Sequence, residues 1–209
     1  VHPKKRISIT TISRLLVRYA AAGKTVVRLK GGDPFIFGRG SEEASYLKKA
    51  GIPYEIVPGV SAGYSVPAYA GIPVTDRRFS SHVTFVTAHE DPRKERSRVD
   101  WENLARTKGT IVSFMGVQSL PSMIQGLIQG GKSPGALISV IQWGTIPRQR
   151  VVTGCLSDIV KKVQKKNIHS PAVAVIGEVN QLRRELAWFK PVSSEGNFRA
   201  LLASLKFLA

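Results

Sequence analysis

Cysteine is nearly absent. Cys155 stands alone in 209 residues, which excludes an internal disulfide and a cysteine-built zinc cluster. A reducing, cytoplasmic setting is expected, and no metal. Acidic residues are also scarce: 14 Asp and Glu face 31 Lys and Arg, for a formal net charge of +17. Such an imbalance points to an anionic partner, whether nucleic acid, an acidic membrane surface, or a small molecule dense in carboxylates or phosphates. No stretch reaches about 18 uninterrupted apolar residues, so no membrane span is expected. The chain opens without a charged-then-apolar leader, so no secretory signal is expected. It begins with Val1 rather than Met, which suggests an incomplete or processed start. Apolar residues, by contrast, make up 43% and run along the whole length. That excludes a disordered tail and supplies enough core for one or two compact domains.

Ile12, Leu15, Leu16 and Tyr19 recur at helical spacing. Ser8 or Thr10 can cap this helix at its start, and Gly23 suits its C-terminal end. The β-branched run Val26-Val27-Arg28-Leu29, bounded by glycines, reads as a buried strand. A helix over residues 41–50 and a strand over residues 54–57 follow, which gives βαβ spacing and a parallel pair. A short helix is expected over residues 62–69. Ile72-Pro73-Val74 is forced to be extended by its proline.

The apolar pattern restarts after Arg78. Strands are expected over residues 83–86, 110–114, 137–142 and 172–176, with helices over 101–106, 119–129 and 158–166. Val151-Val152 reads as a short antiparallel strand pairing near residues 186–189. Residues 90–100 form a charged loop, and a weak helix over 197–208 lies in an appended tail. The expected organisation is α/β: an N-terminal α/β domain over residues 1–78, incomplete at its start, a C-terminal α/β domain over 79–190, and a tail over 191–209.

Two loops carry the chemistry. Lys30-Gly31-Gly32-Asp33-Pro34-Phe35-Ile36-Phe37-Gly38-Arg39-Gly40-Ser41-Glu42-Glu43 leaves a strand and opens a helix, the place where open α/β sheets bind ligands. Paired glycines allow close approach of a ligand, and Asp33 can accept from an amine or a ribose hydroxyl. Spacing alone fits a tight turn with Glu42 or Glu43 as a capping acid equally well. The loop is neither a P-loop nor a Gly-x-Gly-x-x-Gly dinucleotide fingerprint. Val57-Pro58-Gly59-Val60-Ser61-Ala62 is a second strand end entering a helix, and in isolation it reads as an ordinary capped start.

Together with Ala70-Gly71-Ile72-Pro73-Val74-Thr75-Asp76-Arg77, these loops resemble the tetrapyrrole methylase family, in its branch acting on uroporphyrinogen III. The likeness continues through Val83-Thr84-Phe85-Val86-Thr87-Ala88-His89, Phe114-Met115-Gly116-Val117, Trp143-Gly144-Thr145, Gln149-Arg150-Val151-Val152, Gly177-Glu178-Val179 and Leu186-Ala187-Trp188-Phe189. It covers residues 8–189. The family begins with a strand and a Gly-x-Gly-Pro-Gly-Asp-Pro loop, so two βα units, roughly 60 residues at about 30 each, are missing here. The family's proposed catalytic Asp lies in that segment. Its proposed proton-donating Lys aligns at or before Val1, and Lys4 or Lys5 matches it only with a gap. Thr10 and Thr11 stand where family members often carry acids.

The resemblance implies methyl transfer from S-adenosylmethionine to pyrrole carbons of uroporphyrinogen III, giving precorrin-2 on the route to sirohaem and cobalamin. It also implies two α/β domains with the cofactor in the cleft between them, and a homodimer without nucleic-acid or membrane partners. Its cofactor contacts fall on Gly31, Gly32, Asp33, Ile36, Ser61, Ala62, Met115 and Gly144. Substrate-side residues fall on Arg39, Glu42 and Arg77, and the first two are the catalytic candidates. Alternatives are another tetrapyrrole or precorrin methyltransferase, the family branch that methylates ribosomal RNA, and a truncated ligand-binding fragment without turnover.

Overall fold

The structure, a computed structural model, describes residues 7–88 and 99–191. His89, Lys4, Lys5, most of the charged loop over 90–100 and the tail helix over 197–208 lie outside the described residues. By its contacts the chain divides into two compact units, Val1–Ser61 and Ala62–Ala209.

In the first unit, α1 (Ile9–Ala21) begins where Ser8 Oγ accepts the Thr11 N–H at 3.1 Å. Ser8 is therefore the cap, and Gly23 follows the helix at φ +75°. α1 packs on α2 (Gly40–Lys49). It buries only a narrow strip around Ser13 and Leu16, and leaves Leu15 and Tyr19 exposed. The expected stripe is thus turned toward Ser13.

The two strands expected in this unit require correction. Residues 24–30 and 52–60 join no ladder among the described residues, so the expected parallel pair is not formed. Val27 and Leu29 are 82% and 84% exposed rather than buried. β-branched sequence favours extended backbone, whereas a strand also needs a neighbour about 4.8 Å away to take its N–H and C=O groups. Both segments instead line one groove of about 970 Å³, with Leu16, Ala20, Ala44 and Leu47 of the two helices.

The second unit holds the sheet. After α3 (Ala62–Tyr69) come β1 (Val83–Thr87), α4 (Trp101–Arg106), β2 (Thr110–Phe114), α5 (Leu120–Gln129), β3 (Leu137–Gln142), β4 (Arg150–Cys155), α6 (Ile159–Lys165) and β5 (Ala172–Ile176). A 3-10 turn, Glu178–Leu182, leads into α7 (Arg183–Leu186). The spatial order is β1-β2-β5-β3-β4. β1 and β2 are parallel, and the β2–β5, β5–β3 and β3–β4 pairs are antiparallel.

Alternation along these strands builds two cores. Ile111, Ile138, Val140, Ala174 and Ile176 face Leu120, Met123, Ile124, Leu127, Ile159 and Val163. Val112, Ile141, Val173 and Val175 face Val66, Ala70, Ile72 and Val179. Lys132 donates to Ala105 O and Thr107 O, tying the end of α4 to the residues after α5. Burial pushes its ammonium pKa down.

The partner expected for Val151-Val152 also requires correction. β4 pairs with β3, from Leu137 opposite Cys155 to Gln142 opposite Arg150, because the short connection 143–149 brings the chain straight back alongside. Residues 186–189 instead close over α3. Trp188 Nε1 donates to Ala68 O at 3.0 Å, and the Trp188 and Phe189 rings tilt against Tyr69.

Ile138 is inaccessible within the first core. Ile138→Ala is expected to cost about 2–5 kcal/mol, read as a lower urea midpoint at unchanged slope.

Candidate ligand-binding site

In the first unit the glycine loop and the segment before Ser61 are joined by one carboxylate. Asp33 Oδ1 accepts the Phe35 N–H at 2.8 Å, and Oδ2 accepts the Gly59 N–H at 3.0 Å. The N–H groups of Gly59, Phe35 and Ile36 hold the Asp33 carboxyl below its usual range. The two backbones touch: a Cβ at Gly59 would lie 2.4 Å from Gly32 O. Only glycine fits that approach. Ser61 is buried, Ile36 half-buried, and Gly31 and Gly32 exposed. Gly31, Gly32, Asp33 and Ile36 therefore belong to one loop, which is clasped to the segment ending in Ser61.

The same loop delivers Arg39 to the start of α2 in a left-handed conformation (φ +58°). Its Nε and Nη2 donate to Glu42 Oε1 and Oε2, both at 2.8 Å. The guanidinium holds the Glu42 carboxyl below its usual range. Neither Glu42 nor Glu43 caps α2, which has no side-chain cap. Both are bound to cations instead.

In the second unit, β2 and β3 leave the sheet at the same end, on either side of the start of β5. The register sets Phe114 opposite Val173 and Gln142 opposite Ala172. Met115, Trp143 and Thr145 all take positive φ there, at +54°, +48° and +72°. Met115 is 48% exposed. Gln149 fixes the second of these loops: its Oε1 accepts the Thr145 N–H at 2.9 Å, and its Nε2 donates to Tyr69 O at the end of α3. A Cβ at Gly144 would lie 2.4 Å from Val66 Cγ1 on α3. At the start of α3, a Cβ at Gly63 would meet Phe114 Cζ at 2.7 Å. Ala62, Met115 and Gly144 thus gather where α3 packs on the ends of β2 and β3. Arg77 lies apart from them in the primary pattern, exposed in a turn closed by an Asp76–Ser80 bridge; Asp76 pairs with Arg78.

Residues 4–160 match the family described as Tetrapyrrole (Corrin/Porphyrin) Methylases. The chain belongs to that family. It is 49% identical over 171 residues to the S-adenosyl-L-methionine-dependent uroporphyrinogen III methyltransferase of Methanosarcina barkeri, across 82% of this chain and 67% of that protein. It is 50% identical over 179 residues to the uroporphyrinogen-III C-methyltransferase of Bacillus subtilis, across 86% of this chain and 37% of that protein. It therefore spans little more than a third of the Bacillus protein. The crystal structure of uroporphyrin-III C-methyl transferase from Thermus thermophilus complexed with S-adenyl homocysteine matches with a TM-score of 0.71 at 33% identity, over 83% of this chain and 75% of that one.

Sequence reasoning missed Gly59 as the partner of Asp33, and Glu43 as the partner of Arg28 and Lys30. The available signal was Arg28 and Lys30 on alternate positions of an apolar run, with an acid in the next helix.

The depressed Asp33 carboxyl sets a sign for acid. Its contribution is present above its ordinary titration range and drains away as pH falls through the lower folded-state value. Asp33→Asn is expected to lose less stability than wild type between neutral and acid pH, measured by thermal melts across pH.

Proposed function

We propose that this protein is an S-adenosylmethionine-dependent C-methyltransferase that converts uroporphyrinogen III to precorrin-2. The observation that carries this reading is the clasp from Asp33 to Gly59. It joins the two segments that the family resemblance assigns to the methyl donor, in a chain about half identical to relatives named for this reaction.

The residues suit the donor. Exposed backbone at Gly31 and Gly32 offers N–H and C=O groups at close range, and Asp33 can accept from an amine or a ribose hydroxyl. Ile36, Ser61, Ala62, Met115 and Gly144 are the remaining contacts in this reading, with the exposed Met115 thioether as an apolar, polarizable surface. When bound, S-adenosylmethionine supplies a methyl group already activated on a sulfonium, so the chain needs chiefly to align the acceptor carbon.

The substrate is dense in carboxylates, which suits a chain of net charge +17. Arg39 and Arg77 hold its carboxylates through planar forks. Glu42 orients Arg39. The guanidinium holds its carboxyl below the usual range, in keeping with a role in orientation. The reading includes a homodimer and a cytoplasmic setting, the latter in keeping with a single free cysteine. Among the described residues no helix is long and apolar enough to cross a membrane.

Incubation with uroporphyrinogen III and methyl-labelled S-adenosylmethionine is expected to give a labelled product with the mass of precorrin-2. An unlabelled tetrapyrrole pool, with the label intact on the donor, overturns the reading. Arg39→Ala and Arg39→Lys are both expected to lower turnover and substrate affinity while leaving S-adenosylmethionine affinity nearly intact, because an ammonium cannot reproduce the fork. Near-normal kinetics for Arg39→Ala removes it from the site. Sedimentation is expected to show a dimer, and a monomer at every concentration counts against it.

A further inference from the structure

Glu43, in the first turn of α2, is only 4% exposed. Its carboxylate is shared between two cations: Oε1 accepts from Arg28 Nε at 3.0 Å, and Oε2 from Lys30 Nζ at 2.9 Å. Burial alone pushes its carboxyl pKa up, yet hydrogen bonds and charge from Lys30 and Arg28 outweigh burial and hold it below the usual range. A buried acid is tolerated in that form because both oxygens are met by positive donors.

The two cations occupy alternate positions directly before Gly31. Residues 24–30 join no β-ladder; Arg28 Nη1 also donates to Leu29 O within the segment. The approach to the glycine loop is therefore fixed to α2 through side chains. The loop's far end is fixed to the same helix turn by backbone, where the Gly40 N–H donates to Pro34 O at 3.0 Å. Both ends of the loop thus meet the first turn of α2, one through Glu43 and the other through Gly40.

We propose that Glu43 is a positioning residue for the methyl-donor loop, acting through Lys30 and Arg28 to hold Gly31, Gly32 and Asp33 where Asp33 can reach Gly59. The inference rests on the donor assignment above for its effect on binding, but the loop positioning itself is readable without any ligand. Glu43→Gln keeps the shape and removes the charge. In the ligand-free protein, amide hydrogen exchange at Phe35 and Gly59, the two donors to Asp33, is expected to quicken, with exchange in α1 unchanged.

In calorimetry, S-adenosylhomocysteine is expected to bind Glu43→Gln about tenfold to a hundredfold more weakly. Lys30→Met is expected to reproduce this loss, and Lys30→Arg, which keeps an N–H for Oε2, to restore most of the affinity. In an Asp33→Ala background, Glu43→Gln is expected to add less than about twofold, since both act through one clasp.

A uniform rise in exchange across the first unit, or none at Phe35 and Gly59, overturns the proposal in favour of a purely structural ion pair. So does a melting-temperature drop with unchanged affinity. Quickened exchange in a protein whose wild type fails to bind S-adenosylhomocysteine leaves the positioning intact and refutes the donor assignment instead.

Discussion

Gly59 lies so close to the Gly32 carbonyl that no side chain fits at Gly59, and the clasp of the first unit's glycine loop is built on that contact. Two bare backbones in contact expose N–H and C=O groups that must find partners. Asp33 supplies one carboxylate for two of the N–H groups, and is acidified by doing so. Once the clasp is made, the loop beyond Asp33 must return to α2 within a few residues. It does so through a left-handed Phe37 and a left-handed Arg39. The left-handed Arg39 stands at the start of α2, where its guanidinium meets Glu42 three residues on.

The second unit solves a similar problem by different means. Its loops at the ends of β2 and β3 also carry non-glycine residues at positive φ, a conformation that costs on the order of 1–3 kcal/mol per residue and persists only when its surroundings fix it. The sheet fixes one side of each loop through the central strand β5. Gln149 fixes the loop after β3, spending both ends of its amide on Thr145 and on the end of α3. Val66 fills the space a Gly144 side chain would need. Helix, glutamine and glycine therefore specify one loop shape together.

What sequence made legible divides along the same line. Strands β2, β3 and β5 and helices α3 and α4 lie where the apolar pattern sets them, because each is paired or packed within its own unit and burial enforces its period. Ser8, chosen between two hydroxyls by the structure, caps α1 for the ordinary reason that its oxygen meets the N–H three residues on. Residues 24–30 and 52–60 misled because their composition reports a preference for extended backbone and says nothing of a ladder partner. Val151 and Val152 were legible as a strand but not in their pairing, since pairing is decided by the length of the connection rather than by the strand. The glycine loop was legible only as a combination of motifs. Asp33 meeting Gly59 and Glu43 meeting two cations are contacts between distant positions, and neither has a periodicity to betray it.

Charge joins these observations to the proposed reaction. Of the 14 acids, Glu42, Glu43, Asp76, Glu102 and Asp158 are held in ion pairs with nearby Arg or Lys. The two acids beside the glycine loop differ in what their pairing can do. Glu43 is sealed in, and separating it from its cations would leave a buried charge, so that pair stays closed. The Arg39–Glu42 pair lies in water, with more than half of each side chain exposed, and exposed pairs are worth about 1 kcal/mol or less. Under the proposed function, a substrate carboxylate is met by the guanidinium N–H groups that Glu42 does not take, since Glu42 engages only Nε and Nη2. In that reading, affinity for the substrate rests on the chain's positive field as well as on Arg39.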